Sequence, residues 1–108
     1  MSSLTQVFQR FEDYMIKRGK SLSFIKRCKK RLKDVVKIKE NMWIVKGRPS
    51  LGDWYSAYIV VYIDEKKKYR CSCQSPERAF SGKRRKGLCS HIGAVILYNM
   101  VHRNERSS

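Results

Sequence analysis

Apolar residues recur at helical spacing along the first third of the chain. One stripe extends up to Gly19, where a helix can end, and comprises Leu4, Val7, Phe8, Phe11, Tyr14 and Met15. A second helix is predicted from Ser21 or Ser23, with an apolar side formed by Phe24, Ile25, Cys28 and Leu32. Because Cys28 lies in that apolar stripe, we expect a buried core thiol there rather than a ligand.

The pattern then changes to the period of a strand. Short β-rich runs predict strands over Val35–Lys39 and Met42–Lys46, joined by a turn at Glu40 and Asn41. A loop rich in Gly and Pro precedes Trp54–Asp64, which is the strongest strand signal in the chain. Both faces of this strand are apolar, which favours a strand covered on both sides.

These elements predict an α+β fold of two N-terminal helices, a small antiparallel sheet, and a C-terminal hairpin, loop and helix, the part to which the chemistry described next assigns a metal. A length of 108 residues is typical of one compact domain with a modest core. Within it, residues 1–40 form a basic helical segment expected to pack on the sheet, and residues 43–102 form the metal-binding region.

The cysteines carry the clearest chemical signal. Cys71-Ser-Cys73 is followed after fifteen residues by Cys89-Ser-His91. Three thiolates and an imidazole are a closed tetrahedral ligand set for one structural Zn²⁺, because no position stays open for a catalytic water. On an extended strand Cys71 and Cys73 share a face. Ser90 is the predicted cap of a helix that carries His91 in its first turn.

This pattern resembles the SWIM-type zinc finger, in which a hairpin ends in C-x-C and C-x-H opens a helix after a variable loop. Gly87 shortly before Cys89, and the continuation of His91 through Ile92, Ala94 and Val95, fit the family. Ser90 departs from it, since Lys is frequent there. The resemblance covers roughly residues 43–102 and implies binding of DNA or of a protein.

Other uses of the thiols fit less well. The chain begins without a signal peptide, so we expect an intracellular protein (cytoplasm and nucleoid, or nucleus) with reduced thiols rather than disulfides. A nucleophilic pair of Cys89 and His91 would leave the spacing of Cys71 and Cys73 unexplained. Neither paired carboxylates nor a phosphate-binding loop is present, and no stretch is long enough for a membrane span. We therefore expect a binding module and not an enzyme.

The charge suggests a polyanionic partner. Lys and Arg number 25 against nine Asp and Glu, a formal net charge of +16, which is typical of nucleic-acid binding. One basic cluster lies in the loop between the ligand pairs and comprises Lys83, Arg84, Arg85 and Lys86. The second follows the polar side of the second helix and comprises Lys26, Arg27, Lys29, Lys30, Arg31 and Lys33. DNA is favoured over RNA, with contacts to phosphate rather than to bases.

The last helix raises an alternative. From Ile92 to Tyr98, and again at Met100 and Val101, it is apolar almost all round. Either the N-terminal helices cover it, or part of it is a docking surface for a protein partner or a second copy. In the second case the chain is an adaptor, for example a subunit that partners a recombinase-like protein, and Leu97 or Val101 is a candidate solvent-facing position.

Overall fold

The computed structural model of the protein describes residues 4–74 and 88–107. The predicted α+β architecture is confirmed. One antiparallel sheet has the strand order β1-β2-β3-β4, and helices precede and follow it. The elements are α1 (Leu4–Lys17), α2 (Leu22–Arg31), β1 (Val35–Lys39), β2 (Met42–Lys46), β3 (Ala57–Ile63), β4 (Lys68–Cys71) and α3 (Ser90–Ser107).

Local signals set most of these bounds. Gly19 follows α1 with a φ of 80°, a conformation that glycine adopts without strain. Ser21 caps α2, since its hydroxyl accepts a hydrogen bond of 3.1 Å from the Phe24 N–H. Strands β1 and β2 have the predicted limits, whereas β3 begins at Ala57 instead of Trp54. Within the described ranges, no helix combines the length and the apolar character that crossing a bilayer requires.

Helix α3 lies in the centre of the core. Its first two turns are buried, and Ile92, Ala94, Val95 and Leu97 have no exposed surface. The helix packs against α1, α2 and all four strands. The expectation that Leu97 faces solvent is therefore wrong. Val101 is half-buried against the same core, so α3 is apolar all round because other elements of this chain surround it.

Helices α2 and α3 approach each other very closely at Gly93. A Cβ atom at this position would lie 2.3 Å from the Sγ atom of Cys28. Cys28 has no exposed surface, which confirms the predicted buried thiol, and burial raises its pKa to about 12. Gly93 is therefore required by packing, because any side chain there would displace α2.

Among residues 4–74 and 88–107, the helices cover one face of the sheet. Val35, Trp43, Val45, Tyr58 and Val60 are buried on the face that meets the helices. On the other face, whose side chains alternate with these along the strands, several apolar residues are exposed. Val36 is 60%, Ile38 is 48% and Ile59 is 46% exposed. The prediction that β3 is covered on both sides is wrong for the described residues, because α3 packs on one face of the strands, α1 and α2 pack on α3, and Ile59 on the other face is exposed.

Candidate metal centre

The four predicted ligands lie together in the structure. Cys71 ends β4, Cys73 lies in the short 3₁₀ turn Ser72–Gln74, and Cys89 and His91 lie at the start of α3. Their sulfur and ring-nitrogen atoms all lie within 4.8 Å of one another. Cys71, Cys73 and His91 are buried and Cys89 is half-buried. This Cys₃His cluster could hold one metal ion.

The C-x-C segment is not a continuous strand. The chain turns after Cys71, and the N–H of Cys73 donates to the Sγ of Cys71 over 3.5 Å. The turn, rather than a shared strand face, therefore brings the two thiols to one point. Tetrahedral zinc needs sulfurs about 3.8 Å apart. The atoms of the cluster, at most 4.8 Å apart, are close to that spacing.

Cys89, and not Ser90, caps helix α3. The Gly93 N–H donates to the Cys89 carbonyl over 2.9 Å, and the Ile92 N–H donates to the Cys89 Sγ over 3.4 Å. Ser90 is the first helical residue, and its hydroxyl accepts a hydrogen bond from Arg31 Nε at 3.0 Å. The predicted Ser90 cap is wrong by one residue, because a thiol at position 89 supplies the acceptor. The helix N-terminus favours the negative charge of a thiolate there.

Both ring nitrogens of His91 have defined neighbours. Nδ1 lies 3.8 Å from the Sγ of Cys89, and Nε2 lies 3.0 Å from Oδ1 of Asp53. The imidazole also stacks on the Tyr58 ring, with 4.0 Å between centroids and 23° between planes. With Nε2–H donated to the carboxylate, Nδ1 is left as the ligand atom that faces the cysteines. This is the arrangement by which proteins orient a metal-binding histidine.

A buried arginine holds Asp53 in place. Arg31 donates to the two carboxylate oxygens over 2.5 and 3.1 Å, and the Arg48 N–H donates over 2.7 Å. Burial alone would raise the pKa of Asp53, but the hydrogen bonds from Arg31 and from the Arg48 N–H outweigh it and hold the pKa below its ordinary value. The carboxylate thus remains charged beside His91. The Asp53 carboxylate and the Arg31 guanidinium can both be buried because each compensates the charge of the other.

The sequence pattern gave no indication of Asp53, and it predicted Arg31 on the polar side of α2. Arg31 is instead 1% exposed. Its position, seven residues after Phe24 and three after Cys28, does lie on the apolar stripe, and this spacing could have indicated burial. No local pattern links Asp53 to His91, since 38 residues separate them.

The thiols differ in their readiness to ionise. Burial tends to raise the pKa of Cys89, but hydrogen bonds from Cys71, Cys73 and His91 hold it well below the ordinary value. Hydrogen bonding to Cys73 and Cys89, together with burial, raises the pKa of Cys71. The cluster thus favours a first thiolate at Cys89. A metal that binds all three sulfurs has to displace the remaining protons.

The predicted phosphate-binding residues divide into two groups. Lys26, Arg27, Lys30 and Lys33 are exposed on and just after α2. Lys29 is half-buried and forms an ion pair with Glu12 of α1, so part of its charge is compensated. The loop cluster of Lys83, Arg84, Arg85 and Lys86 lies outside the described residues.

Comparison with known proteins adds no relative. No protein-family model matches the chain, and neither a curated protein nor a solved structure was found to match it. The function is therefore inferred from the chain's own residues.

Proposed function

We propose that the protein is a nucleic-acid-binding module whose fold is stabilised by one structural Zn²⁺. The metal part of the proposal is carried by the Cys₃His cluster, with its atoms within 4.8 Å of one another and its histidine oriented by Asp53, and the nucleic-acid part by the net charge of +16. Three cysteines and one histidine favour zinc and complete its tetrahedral coordination. A closed site of this kind stabilises a fold and leaves no position for a substrate.

The arrangement of the ligands supports a SWIM-type assignment within this proposal. Strands β3 and β4 form an antiparallel hairpin that ends at Cys71. The last two ligands lie just before and within the first turn of α3. A hairpin, C-x-C, a loop and C-x-H at the start of a helix are the order of elements that the resemblance implies.

The charge distribution supports a nucleic acid as the partner. Among the described residues, four carboxylates form ion pairs within the chain, which are Glu12–Lys29, Asp53–Arg31, Glu40–Lys37 and Asp34–Arg48. These acids are thus already engaged, while a net charge of +16 remains over the whole chain. Cations that lack an internal counterion attract the phosphates of a polyanion, and DNA is the favoured one.

A binding titration at several salt concentrations tests this function. Single-stranded and duplex DNA and RNA are compared, using protein treated with nuclease during purification. If roughly 4–6 phosphates of duplex DNA are neutralised, log K should fall against log salt with a slope of about −4 to −5. Absence of binding at low salt, or affinity independent of salt, would contradict the proposal.

Charge-reversal variants test which of the two basic clusters contacts the nucleic acid. Replacing Lys83, Arg84, Arg85 and Lys86 with Glu should flatten the salt slope and leave the metal bound. The pair Lys26→Glu and Lys30→Glu tests α2. A matched control is Arg10→Glu with Lys17→Glu, which changes the net charge equally on the exposed side of α1. If the α2 pair weakens binding no more than the α1 pair does, α2 is not a contact surface.

A further inference from the structure

A cleft of about 300 Å³ lies beside the turn between β1 and β2 and the second half of α3. None of its lining residues is a ligand of the candidate metal centre. Tyr62 of β3 pairs with Tyr69 of β4 close to the turn that joins the two strands, whereas Val60 pairs with Cys71 farther from that turn. The volume is at the lower end of the range for small-molecule sites, so it suits one planar group.

Five of the ten residues that line this cleft carry an aromatic ring. Tyr69 lies 4.9 Å from Tyr62 and 6.0 Å from Trp43, measured between ring centroids. On α3, the rings of Tyr98 and His102 lie 4.0 Å apart. Tyr98 is half-buried and His102 is exposed, so this pair lies where a planar ligand can reach a ring face. Such faces bind bases by stacking, whatever the base identity.

Charged groups at the cleft favour an anion. Lys37 and Arg103 line it, and both are exposed. The acid among the lining residues is Glu40, which forms an ion pair with Lys37 over 3.5 Å, so part of the Lys37 charge is compensated and the contact to phosphate falls chiefly on Arg103. An aromatic wall with cations at its edge is the combination that binds a base together with its phosphates.

Trp43 also lines this cleft. Trp43 is 4% exposed, and its indole N–H is buried with no hydrogen-bond acceptor among the described residues. A buried donor without a partner is unfavourable. The Nε1 atom has no surface exposed to the cleft, so it is the ring of Trp43, and not its N–H, that lines the cleft.

We propose that this cleft binds one unpaired base of a single-stranded nucleic acid, with the adjoining phosphates on Lys37 and Arg103. The inference rests on the proposed nucleic-acid function and specifies it further. An unpaired base carries the planar face that stacks on Tyr98 and His102. A paired base in a duplex does not present that face, because its faces are stacked on its neighbours.

The test compares two single-stranded DNA dodecamers with the same number of phosphates. One is oligothymidylate, and the other has abasic sites throughout. Fluorescence anisotropy at fixed salt should show that the full protein binds oligothymidylate roughly 5- to 150-fold more tightly, the contribution expected of one stacked base. Equal affinities would overturn the cleft proposal and leave the proposed function in place. Absence of binding to either strand would overturn the cleft proposal, and it would overturn the proposed function as well if duplex DNA and RNA also fail to bind in the salt titration.

Substitutions in the cleft test whether the preference for oligothymidylate over the abasic strand arises there. Tyr98→Leu, His102→Ala and Trp43→Phe should each reduce the ratio of the two affinities and leave binding of the abasic strand unchanged. Lys46→Ala is the control, because it removes an exposed cation at the far end of β2 from the cleft. Metal content and thermal melting report whether each variant folds. The exposed His102 supplies the test if Tyr98→Leu does not fold. A ratio that survives all three changes would place the base elsewhere and overturn the proposal.

Discussion

His91 has contacts on its ring face and on both ring nitrogens, and this makes the cluster more than four donor atoms at suitable spacing. Tyr58 covers the ring face, Asp53 accepts from Nε2, and Nδ1 faces the thiols. Arg31 in turn holds Asp53. The rotamer and tautomer of the histidine are therefore set before a metal arrives, which lowers the entropic cost of binding.

We expect Asp53→Asn to weaken zinc binding about 10- to 100-fold, because the neutral amide no longer fixes the His91 tautomer. The measurement is competition against a chromophoric chelator. Asp34→Asn is the control, since Asp34 also forms a two-contact pair with an arginine, Arg48, at 2.8 Å and contacts no ligand. Equal zinc affinities for the two variants would show that Asp53 does not orient the histidine.

The close approach of Gly93 to Cys28 predicts a specific coupling between two substitutions. Gly93→Ala should destabilise the protein by about 1–3 kcal/mol, because the new methyl group overlaps the Cys28 sulfur. Adding Cys28→Ala removes that sulfur, and the other close contacts of the methyl group, at 3.5 Å, are ordinary. The double variant should therefore be more stable than the sum of the single changes implies, by roughly 0.5–3 kcal/mol. Urea unfolding of the four proteins measures this, and additive effects would contradict the packing.

At the scale of elements, composition does not predict which apolar surfaces are buried in α3 and in β3. The helix is apolar all round because α1, α2 and the sheet surround it. Strand β3 is apolar on both faces, yet Ile59 is 46% exposed. Composition alone cannot distinguish a buried apolar helix from an apolar strand with an exposed face, because it does not tell which elements pack on each side.

Matched substitutions distinguish the two elements. Leu97→Glu should prevent folding, because a carboxylate without a partner cannot be buried in the core. Ile59→Glu on the open face should change the free energy of unfolding by no more than about 1 kcal/mol. Circular dichroism during thermal melting compares them. A folded Leu97→Glu protein would show that α3 has an accessible apolar side, and would revive the adaptor alternative.

Sequence patterns predicted the parts of the fold that depend on neighbours along the chain. The hairpin of β1 and β2 follows from a turn at Asn41, which adopts a φ of 63°, a conformation that Asn tolerates. The metal ligands were found because spacing and residue type identify them together. Ion pairs between distant segments could not be found in this way, since Arg31 and Asp53 are 22 residues apart.

On the scale of the whole molecule, the candidate metal centre connects most of the fold. Its ligands come from β4, the following turn and α3, and the Asp53–Arg31 pair extends the connection to α2. Because the buried part of α3 begins at His91, the start of the central helix depends on the cluster. When a metal binds only the folded chain, its binding free energy adds to the stability of the fold.

Removing the metal should therefore affect more than the hairpin. We expect a chelator to lower the melting temperature and to speed amide exchange in α3 and in the helices packed on it. Hydrogen exchange followed by mass spectrometry measures this element by element. Faster exchange confined to β4 and the first turn of α3 would mean that the metal acts only locally.

The most direct test of the central claim is native mass spectrometry of protein purified without a chelator. The account predicts about one Zn²⁺ per chain, retained by Cys28→Ser and lost by Cys89→Ser. A wild-type chain that carries no zinc, or a Cys28→Ser variant that loses it, would contradict the assignment of Cys71, Cys73, Cys89 and His91 as the ligands.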